Sequence, residues 1–182
     1  MKTDFYLQVE NSSASRAERE KYRNLVLRKT ELLPELTSFA FTIEDKNHFK
    51  AFWILELVCE KKLKFFLPYI DEFCEVLPKL KNESAIRPAS KITLFLAKSN
   101  HRANGIKLTQ LQESLLIENC FDWLISDCKV ASKVYAIKAL YVLGRKFDWI
   151  HPELKNILEQ NYHQQTPAYQ SISKNILKKL KF

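Results

Sequence analysis

Glycine is nearly absent: Gly105 and Gly144 are the only two in 182 residues, where average usage of about 7% would give about a dozen. Tight hairpins and phosphate-cradling loops depend on glycine for positive φ or for close backbone approach. The shortage therefore argues against sheet-rich and nucleotide-binding folds together, and no GxGxxG or GxxxxGK[ST] stretch occurs. The N-terminus "MKTDFYLQVENSS" lacks an apolar run of secretory length, and no stretch approaches about 20 uncharged apolar residues. A soluble, cytoplasmic protein with no membrane partner is expected. The four cysteines, Cys59, Cys74, Cys120 and Cys128, stand singly among apolar neighbours without a CxxC pair, which points to buried thiols rather than a metal site. His48, His101, His151 and His163 are scattered without HExxH spacing, and neither a GxSxG elbow nor a Cys-His motif is present. No cofactor or metal is expected, and the balance leans away from an enzyme.

What is there suits a helical core. A chain of this length can bury roughly 70% of its unfolded surface without a disulfide or metal staple. The 46% apolar and 12% aromatic content supplies the material for doing so. The net charge of +8 raises the question of an acidic partner. Basic residues are densest at "KKLK" (61–64) and in "SKNILKKLKF" (173–182), but acidic residues accompany them along most of the chain. That balance favours a solvated surface over a dedicated nucleic-acid footprint.

Apolar residues recur at helical spacing almost throughout, so the fold class is all-α. Ser15 with Glu18 reads as a capping box before a first helix ending near Lys29. Further helices are predicted near 31–42, 45–62, 64–80, 83–99, 109–126, 128–146, 152–162 and 166–181. Lys50, Arg87, Lys133 and Gln170 anchor a repeat. Three positions after each stands a residue to be packed (Trp53, Ser90, Ala136, Ser173), and seven positions after each stands Leu57, Leu94, Leu140 or Leu177. Offsets of 0, 3 and 7 share one helical face. The anchors recur after 37, 46 and 37 residues, the period of helix-pair repeats. In "LLPEL", "FLPYI" and "IHPEL" a proline falls where a helix would start, a place that tolerates its missing N–H. The third unit lacks this proline and follows the longest loop, residues 99–107.

This pattern resembles the HEAT and armadillo-like α-solenoids over roughly residues 31–182. In such units the second helix begins with Asp and carries Arg or Lys a turn and a half later. Here Asp45 precedes Lys50, Asn82 precedes Arg87 and Asp127 precedes Lys133, while "FKAFWILELV", "IRPASKITLFL" and "SKVYAIKALYVLG" are similar to the family's basic-plus-small-plus-Leu core. Gln170 replaces the basic residue in the fourth unit and Pro88 falls within the second, so irregularity is expected in both. The resemblance implies a right-handed α-α superhelix of about four helix pairs. It would form a single domain over 1–182, with 1–30 as the N-terminal cap and 31–182 as the repeats.

The resemblance also implies a function: a non-catalytic scaffold whose concave face, lined by the second helices, meets another macromolecule. A protein partner comes first, with Lys50, Arg87, Lys91, Lys133 and Lys138 facing an acidic surface. The alternative is a DNA- or RNA-binding solenoid that uses the same bases for phosphates and an exposed tryptophan such as Trp53 for stacking. The alkylation-repeat DNA glycosylases are HEAT-like and combine aromatic and acidic residues on a basic face, and this chain holds Trp53, Trp123 and Trp149 with Asp122 and Asp148. Small helical proteins similar to this one sometimes bear the name adenylosuccinate lyase, but the Ser-rich, Met-Pro-containing signature loop of those enzymes is absent. The C-terminal "SISKNILKKL" must cap the stack or pair with a second copy, and the oligomeric state stays open.

One short stretch, "FDWIHPE" (147–153), invites two readings. In the first, His151 or Asp148 caps the helix that Pro152 begins, Trp149 and Ile150 pack under the turn, and Glu153 favours the positive helix N-terminus. The second is catalytic and requires Asp148, His151 and Glu153 to converge in a pocket.

Overall fold

A computed structural model describes residues 3–180, and every regular element among them is helical. The chain divides into two compact units, Met1–Ile92 and Thr93–Phe182. The first holds α1 (Asp4–Glu10), α2 (Arg16–Arg28), α3 (Leu33–Phe41), α4 (His48–Lys62) and α5 (Ile70–Val76). Its last helix, α6 (Glu83–His101), runs on past the boundary. The second unit continues with α7 (Gln110–Ile125), α8 (Val130–Leu143), α9 (Ile150–Asn161) and α10 (Pro167–Lys179).

In the first unit α4 packs against α2 and α3. Phe41, Phe52, Phe66 and Phe73 fill its centre, with Phe41 and Phe66 each close to Phe73 at ring separations of 6.2 and 5.3 Å. In the second unit α8 packs against α7, α9 and α10. The repeat offsets explain the packing. Ser90, Ala136 and Ser173 are fully buried and Leu57, Leu94 and Leu140 nearly so, because small residues let helices approach while leucines fill the space beside them. Trp53 and Leu177 depart from the pattern and remain half-buried.

Several local expectations need correction. Helix α1 was not anticipated; the Thr3 hydroxyl caps it by accepting from the Tyr6 N–H. The helix predicted over 64–80 is broken into a 3-10 segment at Leu63–Tyr69, α5, and a second 3-10 turn at Leu77–Lys79. Pro68 and Pro78 each remove an N–H that a continuous α-helix would use. The Ser15 hydroxyl does accept from the Glu18 N–H, but the Glu18 carboxylate reaches back to Ser13 N–H at 2.6 Å, so the capping box is half formed. A complete box stands at Thr109 and Gln112, where α7 begins without a proline.

The stretch 147–153 does not cap α9 through a side chain. Helix α9 starts at Ile150 with no side-chain cap, so neither Asp148 nor His151 plays that part. Instead His151 turns back to the preceding helix, where its Nε2–H donates to Tyr141 O at 3.0 Å and its ring stacks on that of Tyr141. A carbonyl can only accept, which fixes the proton on Nε2. Ile150 is buried as expected, but Trp149 lies exposed rather than under the turn.

Gly144 admits this ring. It closes α8 at φ −63°, so positive φ is not what glycine supplies there. A Cβ at Gly144 would stand 2.1 Å from His151 Cδ2 and 2.4 Å from Nε2. Gly144→Ala is therefore expected to lower stability by about 1–3 kcal/mol. In a His151→Ala background the same change should cost little, and urea unfolding of the four proteins measures the coupling.

Candidate functional site

The six residues expected to bind a partner lie on α4, α6 and α8, and the fold treats them differently. Lys50 is half-buried on α4, and its Nζ donates to Glu10 O, the last carbonyl of α1, at 2.5 Å. Asp45, the expected ladder partner of Lys50, takes the Asn47 N–H at 2.8 Å and the Tyr6 hydroxyl, and so shapes the turn into α4. Asn82 does the same before α6, accepting from Ser84 N–H at 2.8 Å.

Trp53 has a backbone duty that explains its place in the repeat. Pro88 sits inside α6 and has no N–H to offer the carbonyl four residues earlier, that of Ser84. The Trp53 Nε1–H donates to Ser84 O at 3.0 Å and replaces the missing bond. Thus α6 continues through Pro88, where an interruption was expected. The indole is also covered: Phe49 packs edge-on at 5.0 Å, and the Arg19 guanidinium carbon lies 5.8 Å from the ring centre.

Lys91 belongs to an ion ladder across α2, α4 and α6. Its Nζ lies 2.6 Å from Glu56 Oε1 and 3.3 Å from Glu60 Oε1, and Glu60 is 3.9 Å from Arg16. The Glu56 side chain is only 8% exposed and that of Lys91 17%, so the pair is largely removed from water. Burial opposes the charge on Lys91, but hydrogen bonding and attraction from Glu56 and Glu60 outweigh it and hold the ammonium above the usual lysine range. Lys133 is also buried, whereas Lys138 is half-exposed and Arg87 exposed. No hydrogen bond or ion pair engages the side chain of Arg87 or Lys138 among the described residues.

A second polar centre escaped the sequence reading. Glu113, on the first turn of α7, has no exposed surface. It accepts from Asn100 Nδ2 at 2.6 Å and from Lys146 Nζ at 2.8 and 2.6 Å through its two oxygens. These groups border a cavity of about 250 Å³ together with His101 and Lys107. Lys107 in turn donates to the carbonyls of Asn100 and Arg102. The cluster ties the end of α6 to the start of α7 and the turn after α8. Its one sequence signal was a polar pair, Gln112 and Glu113, on the stripe that continues through Leu116, Ile117 and Cys120.

No three His, Cys, Asp or Glu side chains among the described residues group to hold a metal ion. Cys59, Cys74 and Cys120 are buried, and desolvation raises all three thiols, that of Cys74 to about 12. Cys128 is only partly buried, 3.1 Å from the Ser126 hydroxyl. No helix is long and apolar enough to cross a membrane among the residues described.

Two measurements test these assignments. Trp53→Phe is expected to cost about 1–2 kcal/mol by leaving Ser84 O unpaired, and less in a Pro88→Ala protein, where residue 88 supplies its own N–H. Chemical denaturation of the double-mutant set reads the coupling. Lys91→Met should cost about 3 kcal/mol at neutral pH, because Glu56 remains buried without its cation. Removing Glu56 as well, by Glu56→Leu, should recover much of that loss. A lysine raised by folding adds stability that is complete below its unfolded value, about 10.4, and is lost as pH rises through the higher folded value. Alkaline unfolding should therefore be less steep in Lys91→Met than in the unaltered protein.

The helix pairs and their spacing agree with comparison to known families. The HEAT repeat domain matches residues 11–180. No curated protein and no solved structure matches the chain. The family's fold is an α-α superhelix and its members are typically protein-binding scaffolds, and with nearly the whole chain matched, this protein belongs to the HEAT-repeat family.

Proposed function

We propose that the chain is a non-catalytic protein-binding scaffold, folded as one solenoid over 1–182 with residues 1–30 as its N-terminal cap, whose second helices meet an acidic partner. The observation that carries the reading is the unequal state of the expected bases. Lys50 and Lys91 are held by Glu10 O and by Glu56 and Glu60, whereas Arg87 and Lys138 stand on α6 and α8 with no hydrogen bond or ion pair to their side chains among the described residues. Charge that the fold does not use remains available to a partner. Lys133 is 7% exposed and contributes to the local field more than to direct contact.

The nucleic-acid reading loses Trp53 as its stacking platform, because that indole is bonded to Ser84 O and covered by Arg19 and Phe49. Non-specific nucleic-acid binding is strongest at low salt. Fluorescence anisotropy with labelled single- and double-stranded DNA and RNA at low salt is expected to show no binding that Arg87→Glu/Lys138→Glu abolishes. A photo-crosslinker placed at residue 87 or 138 should label a protein partner, and charge reversal at the other position should remove the label. Salt-sensitive nucleic-acid binding lost in the double variant would overturn the scaffold reading in favour of a nucleic-acid binder.

A further inference from the structure

A surface of the opposite sign lies in the second unit. Trp149 is 56% exposed and Ile125 66%, which is unusual for large apolar side chains in a chain with ample core. The Trp149 indole stacks on Phe121 at 5.7 Å and 23°, so one face is covered and the other is open. Ile125 stands one turn beyond Phe121 on α7. Phe121, Ile125 and Trp149 thus form a rigid apolar platform rather than a loose side chain.

Its border is acidic. Asp122 follows Phe121, Asp148 precedes Trp149, and Glu118 lies one turn before Phe121. All three are exposed, and no hydrogen bond or ion pair engages their carboxylates among the described residues. The cations nearest Asp148 in sequence are directed elsewhere. Arg145 meets His101 Nε2 at 3.1 Å and lies over Tyr141, and Lys146 closes on Glu113. In a chain of net charge +8, three carboxylates without cations beside an open indole make a local field contrary to that of the whole molecule.

We propose that the Phe121–Trp149 stack is the docking platform for a basic segment of a partner protein. Such a segment would lay an arginine side chain across the open indole face and an apolar neighbour on Ile125. The chemistry follows from the groups present. A guanidinium stacks on indole better than on other aromatic rings, and carboxylates at the rim satisfy its donors and exclude acidic competitors. Tryptophan carries a large share of binding energy where it is fixed before contact. Nucleic acid is repelled by the same carboxylates. The proposal uses neither Arg87 nor Lys138, so either proposal stands or falls without the other.

The test uses the full chain and a labelled peptide of alternating arginine and leucine, with the glutamate–leucine counterpart as control. The arginine peptide is expected to bind at low salt, to weaken as salt rises, and to quench indole emission. Trp149→Ala and Asp122→Asn/Asp148→Asn should each weaken it roughly tenfold or more, while Arg87→Glu/Lys138→Glu should not weaken it. The altered side chains are exposed or, at Lys138, half-exposed, and circular dichroism confirms that the variants fold. Absence of binding, equal binding of the glutamate peptide, or affinity unchanged by Trp149→Ala and by the double Asn variant would overturn the proposal. A concentration-dependent dimer that Trp149→Ala dissolves would assign the platform to a second copy instead, and would overturn it equally.

Discussion

The end of every helix leaves carbonyls that no N–H of the helix can reach, and this chain must satisfy them without the usual device. Helices commonly close through a glycine in the left-handed region, whose turn returns N–H groups to those carbonyls. Here no residue with positive φ occurs among those described. Side-chain donors do the work instead. His48 Nδ1 meets Ala40 O in the last turn of α3, and His151 Nε2 meets Tyr141 O in the last turn of α8. Lys50 serves the end of α1 and Lys107 the end of α6. The two histidines share one solution, each standing at the start of a helix and turning back to the one before.

That constraint determines which residues remain for function. Lysine, histidine and tryptophan are the types a reader first suspects of binding or catalysis, and in this fold many of them complete the backbone or neutralise a buried carboxylate. Glu56 and Glu113 each require a lysine, supplied by Lys91 and Lys146. Leaving either carboxylate alone in a dry interior would cost more than a lysine at the surface contributes. The basic face implied by the repeat pattern is therefore reduced to the cations that helix ends and buried acids do not require.

Much of the architecture was legible in the sequence, because period is a property of the chain itself. Residues three and seven positions after each anchor fall on one face whatever lies opposite, and the burial of Ser90, Ala136 and Ser173 follows directly. The fate of a polar side chain depends instead on which helix end it meets across the packing, and that is not written nearby. The two "FDW" tripeptides show the difference. Trp123 lies within α7, on the face shared with Leu116 and Cys120, and is buried, whereas Trp149 precedes α9 and is exposed. Identical local sequence gives opposite outcomes because one copy is inside a helix and the other is in the turn before one. Trp53 was legible only in retrospect, through Pro88, which is 35 residues away in sequence yet leaves free the Ser84 carbonyl that its indole bonds.

A side chain's chemistry is thus weak evidence of function in a helical repeat until its structural duties have been subtracted. After that subtraction two kinds of group remain unexplained by folding: the unengaged cations Arg87 and Lys138, and the exposed aromatic platform with its free carboxylates. An exposed indole costs hydration that a smaller residue would avoid. Opposite charge at the two sets of groups also has a physical consequence. A scaffold that offers one acidic and one basic face can hold two unlike partners, because each face repels the other's ligand. Discrimination between partners is the property that such a charge arrangement would support.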